Sequence, residues 1–262
     1  MIEAFNNSHF HPNNEKERSQ IALSESFQIP DSHQSYLRTG AFTASNISKA
    51  LGYKGPTTTS ASGIQSIVEA CQLIRNNEAK SAVAFGASVE VNESLLNSLY
   101  EQGLLSECEE YQMLKGQKLV LGEGSAGILL ENLDHALERG ARIYAEVEMH
   151  SFVEASEGCK MEFGGELVVG CGNGIGKFDL CEKKWLEGKR FVNFKGNYGW
   201  VSNADGINDA VIASLIIGQG VIPPVIGKGV KIERERLNKV SVLGFGMDGS
   251  AWCLELARFE GK

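Results

Sequence analysis

Apolar side chains along this chain fall into two rhythms, one helical and one of short unbroken runs, and both become definite from Gly40 onward. "AFTASNISKALG" (41–52) carries small and apolar residues at helical spacing and closes on Gly52, a residue suited to a helix C-terminus. "GPTTT" predicts a short strand. "SGIQSIVEACQLIRNNEAK" (62–80) then places Ile64, Ile67, Val68, Cys71 and Ile74 on one face of an amphipathic helix. "SAVAFGASVE" (81–90) is short, apolar and partly β-branched, the pattern of a buried strand. Further on, the pattern predicts a helix in "SLLNSLYEQGLLS" with a break at Gly103, a strand in "SAGILLE" and a helix in "NLDHALERG". An alternating strand in "ARIYAEVEMHSFV" follows, and "ELVVGCGNG" reads as a strand ending in a glycine-rich turn. "KFDLCEKKWLEG" predicts a helix and "RFVNF" a short strand. "SNADGINDAVIASLIIGQG" is apolar enough for a central helix, and "VSVLGFGMDGSAWCLELARF" predicts two strands joined by a glycine-rich hairpin.

Strands that alternate with helices imply an α/β fold with largely parallel sheets covered on both faces. The expected organisation is one domain over residues 39–262, built as two halves of a duplicated plan, about 39–140 and about 141–262. Residues 1–38 are polar and rich in Asn, Ser, Glu and Gln. They are expected to pack weakly alone and to be ordered at an interface, with a short helix around Glu15–Glu25.

Composition narrows the classes of function. A net charge of −8 argues against a general nucleic-acid binder, which needs a concentrated basic surface. No apolar run approaches the ~20 residues that span a bilayer, and the polar start "MIEAFNNSHFHPNNEKERSQ" is not a secretory signal peptide. Six scattered cysteines without a C-x-x-C pair fit reduced thiols in a cytoplasm rather than a disulfide framework or a metal site. Of five histidines, His9, His11 and His33 lie in the polar N-terminal segment, leaving only His135 and His150 beyond it. The commonest acid–base side chain is nearly absent from the patterned part of the chain.

"PTTTSASGIQS" (56–66) places Ser60 at a bend between strand and helix. It reads either as a nucleophile position or, together with Ser62, as a helix cap whose hydroxyl accepts from free N–H groups. "GCGNGIG" (170–176) lacks the spacing of a dinucleotide-binding turn.

Four segments, in order, resemble the β-ketoacyl synthases of the thiolase superfamily: "ASNISKALGYKGPTTTSASG", "LVLGEGSAGILLENLDHALERGARIYAEV", "KGNYGWVSNADGINDAVIASLIIGQGVIPP" and "LGFGMDGSAW". They resemble, in turn, the approach to the nucleophile elbow, the following strand–helix–strand, the K-S-x-x-G-H-x-x-G-A-A-G helix start with its later G-x-I-P-P, and the G-F-G-G-T-N-A hairpin. The resemblance implies a layered α-β-α-β-α fold with mixed, mostly parallel sheets. In that family a cysteine thiolate takes the acyl group, and two histidines assist decarboxylation and stabilise the enolate. The elbow cysteine matches Ser60 here or, because the strand before it is shortened, Ser62. The first histidine matches Cys171, with Asp179 at the expected distance, and the second matches Trp200. Lys195 and Phe245, the latter a residue that gates the pocket in active relatives, are kept. Only 59 residues precede Ser60 and 47 separate Glu123 from Cys171, so the first half reads as truncated.

The resemblance therefore implies a subunit with a degenerate triad (Ser60, Cys171, Trp200), with Lys195, Phe245 and Ser62 as candidates for lining a pocket or tunnel. It is similar to the chain-length factors of aromatic polyketide and aryl-polyene pathways. Such a subunit requires no cofactor and no metal. Its implied partners are an active ketosynthase, in a heterodimer, and acyl carrier protein through that complex; nucleic acid and membrane are not expected. A serine acyltransferase or hydrolase using Ser60 and a purely structural scaffold are the alternatives. His135, on a peripheral helix, and His150, at a strand end, are not expected to replace the missing bases.

Overall fold

The computed structural model describes residues 21–26, 40–60, 62–88, 91–106, 111, 114–116, 118–156, 158–226, 231–246 and 248–261. Two sheets carry the architecture. The first is ordered β2-β1-β3-β4, from β1 (Ile21–Ser26), β2 (Thr57–Ser60), β3 (Ser81–Ser88) and β4 (Gly124–Glu131). The second is ordered β5-β11-β10-β6-β7, from β5 (Glu146–Glu154), β6 (Leu167–Val169), β7 (Phe191–Val192), β10 (Lys239–Phe245) and β11 (Ser250–Ala257). A small ribbon, β8 (Val221–Ile222) with β9 (Glu233–Arg234), lies apart from both.

The two sheets repeat one plan. In the first, β1 pairs parallel with β2 and β3, and β3 pairs antiparallel with β4. In the second, β6 pairs parallel with β7 and β10, and β10 pairs antiparallel with β11. Helix α1 (Gly40–Leu51) links β1 to β2, as α5 (Gly176–Trp185) links β6 to β7. Helix α2 (Gly63–Arg75) links β2 to β3, as α7 (Asp205–Gln219) leads from β7 toward β10. α3 (Glu93–Glu101), α4 (Leu133–Glu138) and the single turn α6 (Lys195–Tyr198) complete the α-helices among the described residues, and a 3-10 turn (Ser202–Ala204) precedes α7.

α2 and α7 form the central layer. Ile64, Ile67, Val68 and Cys71 of α2 and Ile207, Ala210, Ile216 and Ile217 of α7 are buried in one core with Ala82, Ala84, Val240, Val242 and Leu254 from both sheets. α1 covers the outside of the first sheet, where Tyr53, Val83 and Phe85 form a smaller core with Ile47 and Leu51. α5 covers the outside of the second through Trp185 and Leu186 on Val168, Leu243 and Cys253. The result is the five-layer α-β-α-β-α sandwich. Burying α7 on both sides explains its apolar composition, and this burial is the main stabilising force of the fold.

Two expectations need correction. Residues Ile21–Glu25 are not helical: they lie in β1, an interior strand between β2 and β3. Alternation in "IALSES" competes with the helical reading, and long-range parallel pairing decides it. The rest of that expected helix lies outside the described residues. The strand expected from Ala141 starts at Glu146, after five residues without ladder pairing.

Candidate functional site

The N-termini of α2 and α7 meet at backbone contact. A Cβ on Gly63 would stand 2.9 Å from Ile207 N, and one on Gly206 would stand 2.8 Å from Ile64 N. Gly244 on β10 leaves the same kind of room for Ile64, and Gly86 on β3 lies where a Cβ would fall 2.2 Å from Asn203 O. Glycines at these positions let two helix starts and a strand end crowd around one point. There Gly63, Gly206 and Gly244 line a hollow with Ser62, Ile64, Trp200, Ser202, Asp205 and Phe245. Its cavity volume of about 10 Å³ is room for about one water.

Ser62 is the N-cap of α2, its Oγ accepting from Gln65 N at 3.3 Å. Ser60 does not cap, contrary to one of its two readings. It ends β2 as a buried residue whose Oγ has no hydrogen-bond partner. The extended strand conformation carries Ser60 short of the helix, so only Ser62 reaches the free amides.

Trp200 is fixed by backbone: its N donates to Val120 O at 2.6 Å, and Gly122 N donates to its carbonyl at 3.0 Å. Gly122 permits this, since a Cβ there would strike Tyr198 O at 2.0 Å. The indole then forms a wall of the hollow. Phe245 forms another, and it is held from behind by stacked rings: Phe178 at 4.9 Å and Trp185 at 5.7 Å between centroids.

Lys195 does not line the hollow. Its ammonium is buried beneath, 2.6 Å from Asp209 Oδ2, 3.2 Å from Asp205 Oδ1 and 3.2 Å from Tyr198 OH. Tyr198 OH in turn donates to Asp209 Oδ1 at 2.5 Å. Burial alone would lower the Lys195 pKa, but Asp205 and Asp209 outweigh it and hold the amine charged. Two carboxylates facing one cation leave a surplus negative charge. Burial, opposed by Lys195 and reinforced by Asp209, pushes Asp205 up to about 7. Asp205 is also the member of this cluster that reaches the hollow.

Cys171 is fully buried, and its thiol donates to Asp205 Oδ2 at 3.7 Å. Burial and then Asp205 push that thiol well above its ordinary range, so it is held neutral. The backbone around it is fastened by Glu182, which accepts from Cys171 N at 2.6 Å and Gly172 N at 2.7 Å; burial raises Glu182 to about 8. Asp179 accepts from Gly116 N and Gly174 N, and Tyr111 OH donates to Gly172 O at 2.6 Å.

The fold thus brings Ser62, Trp200 and Phe245 to one hollow and places Cys171 and Lys195 behind Asp205. Neither histidine of the patterned region joins them. His135 pairs with Glu131 at 2.9 Å on α4, while His150 faces Leu254 across β5 and β11. Sequence reasoning missed Asp205, Asp209, Tyr198 and Glu182. The available signal was two acids four residues apart in an otherwise apolar helix, a spacing that puts both on one face.

Residues 11–136 match the family model described as "Beta-ketoacyl synthase, N-terminal domain". A highly reducing polyketide synthase, ltbA of Aspergillus luteorubrus, is 30% identical over 125 residues, which is 45% of this chain and 4% of that protein. 3-Oxoacyl-[acyl-carrier-protein] synthase 2 of Staphylococcus aureus is 30% identical over 113 residues, 38% of this chain and 28% of that protein. The chain therefore spans less than a third of the length of these relatives. Among solved structures, a ketosynthase from module 6 of the bacillaene synthase of Bacillus subtilis 168 superposes with TM-score 0.77 at 17% identity, covering 95% of this chain and 56% of that one. The AntDE:AntF complex, a type II ketosynthase with its acyl-carrier protein, gives 0.83 at 15% identity, covering 98% and 82%. The ishigamide ketosynthase/chain length factor gives 0.76 at 20% identity, covering 92% and 76%. Residues 11–136 are thus similar to a β-ketoacyl synthase N-terminal domain, and the chain as a whole shares the fold of these ketosynthase structures.

Proposed function

We propose that this chain is a ketosynthase-like subunit of the chain-length-factor type. It does not condense acyl groups itself; it pairs with an active β-ketoacyl synthase and shapes that enzyme's acyl tunnel in polyketide, polyene or fatty-acid-type biosynthesis. The observation that carries this reading is the charge-locked Lys195 beneath a hollow walled by Trp200 and Asp205. Condensation needs an activated nucleophile, a proton acceptor and donors for a developing enolate. Here Ser60 Oγ has no hydrogen-bond partner, Cys171 is a neutral buried thiol, and Trp200 offers only an indole N–H. A malonyl carboxylate entering the hollow would meet the Asp205 side, and the volume left admits only about one water.

A heterodimer partner is supported by the likeness to the ishigamide ketosynthase/chain length factor, and access to acyl carrier protein by the likeness to a ketosynthase in complex with one. Residues up to about Phe42 would lie near the interface and supply tunnel-blocking side chains.

One feature favours a serine acyltransferase or hydrolase instead: the orphan buried hydroxyl of Ser60 at the family's nucleophile position. An unpaired hydroxyl without a base stays protonated near neutral pH, so this reading ranks second.

The test is to purify the chain with and without a neighbouring ketosynthase, and to supply carrier protein loaded with acyl and malonyl groups. The expected result is a stable complex that condenses, with product length changing when small residues near the N-terminus are enlarged. A stable monomer in the presence of the ketosynthase contradicts the pairing. Unchanged product length favours a scaffold without a tunnel role.

A further inference from the structure

Outside the hollow, two half-buried free thiols converge on one residue. Cys159, in the loop between β5 and β6, and Cys181, on α5, both pack against the apolar cluster beneath that helix. Cys159 N donates to Ser156 O at 3.2 Å, and Cys181 Sγ donates to the same oxygen at 3.8 Å. With those two legs, Cys181 Sγ stands no more than about 7 Å from the Cys159 amide. Cys159 Sγ lies 3.0 Å from Ser156 Oγ. The Cys159 carbonyl is fastened to the same helix by Trp185 Nε1 at 2.7 Å, one turn beyond Cys181. The loop therefore lies across the helix face that carries Cys181 and Trp185, and Gly158, at φ +93°, supplies a turn with rotational freedom beside Cys159.

We propose that Cys159 and Cys181 are a reversible dithiol–disulfide pair. Closure requires the Cys159 side chain to turn away from Ser156 and the two sulfurs to meet at about 2 Å. The oxidant is a small-molecule disulfide such as glutathione disulfide. One protein thiolate attacks it, forming a mixed disulfide and releasing one glutathione. The second thiolate then displaces the other glutathione and closes the Cys159–Cys181 bond, so the protein loses two hydrogens and the oxidant gains them. Closure staples the loop to α5 beside Trp185, whose ring stacks on Phe245, and so braces the wall of the hollow from outside. The two cysteines stand 22 positions apart in sequence, with Cys171 between them. The pairing does not depend on the proposed subunit role.

The test uses the full chain with Cys108, which lies outside the described residues, replaced by serine. The chain is equilibrated in glutathione/glutathione disulfide mixtures, acid-quenched, alkylated and mapped by peptide mass spectrometry, folded and in urea. Cys71, Cys171 and Cys253, which are buried, serve as internal standards of protection. The pair is expected to crosslink about tenfold more in the folded chain than in the unfolded one at equal ratio. Cys159→Ser should leave Cys181 as a mixed disulfide with glutathione, and Cys181→Ser should do the reverse. Glutathione on both cysteines of the folded parent chain without a crosslink would overturn the proposal. So would crosslinking no greater than in urea.

Discussion

Lys195 and Asp209 are joined nitrogen to oxygen at 2.6 Å with neither side chain open to water. Asp205 completes the arrangement at 3.2 Å, so the ammonium is fully engaged by carboxylates on the next helix. The lysine ties α6 to α7.

Breaking this pair from one side should be costly, because an uncompensated charge is left buried. Lys195→Met, which strands both carboxylates, is expected to lower unfolding stability by about 3–5 kcal/mol, and a Lys195→Met, Asp209→Leu double variant should recover much of that loss. Urea unfolding of the three proteins checks this. Equal stability of the single variant and the parent would show the pair to be of no consequence.

Stability should fall as pH rises. Burial lifts Asp205 from 3.8 to about 7 and Glu182 from 4.5 to about 8. Between roughly pH 4 and 8 the folded chain holds protons that the unfolded chain has released, so folding is favoured at the acid end and loses that contribution toward pH 8. Urea midpoints at pH 5, 6, 7 and 8 should decline in sequence, and Asp205→Asn should flatten the decline. A midpoint that climbs across this range would contradict the assignment.

The two serines of the elbow should separate cleanly. Ser62→Ala removes the α2 cap and should cost about 1 kcal/mol. Ser60→Ala deletes an unsatisfied buried hydroxyl and should be neutral or slightly stabilising. Paired thermal melts decide the order; a larger loss at Ser60 would reveal a partner for its hydroxyl.

Gly86 is expected to tolerate no side chain. A Cβ there falls 2.2 Å from the Asn203 carbonyl oxygen, which is backbone and has nowhere to go. Gly86→Ala should cost about 3 kcal/mol in denaturant unfolding, whereas Gly140→Ala, where nothing lies near but φ is +66°, should cost only about 1 kcal/mol.

Much of this architecture is legible in the sequence because its pattern and its packing agree. The face Ile64, Ile67, Val68 and Cys71 is buried as the spacing implies, and the near-continuous apolar run of α7 becomes the central layer. β1 was not legible. "IALSES" is short and follows a polar tract, and its place between β2 and β3 is set by parallel partners distant in sequence. At the site, the helix cap at Ser62 could be read, because a serine just before a helical pattern suits its free amides. What could not be read was where charge would settle. Lys195 was expected at the pocket wall, but Asp205 and Asp209, one helical turn apart, draw it beneath the hollow. Such a network depends on which face of α7 meets α6, and that is decided by the close approach at Gly206 and Gly63.

The most direct test of the central claim is acyl transfer to the chain itself. The purified chain, alone and with an active ketosynthase, is incubated with acyl carrier protein carrying acyl and malonyl groups, and its peptides are read by mass spectrometry. The account predicts no acyl group on Ser60 in either sample, with condensation only when the partner is present. An acyl adduct on Ser60 of the isolated chain, lost on Ser60→Ala, would contradict it.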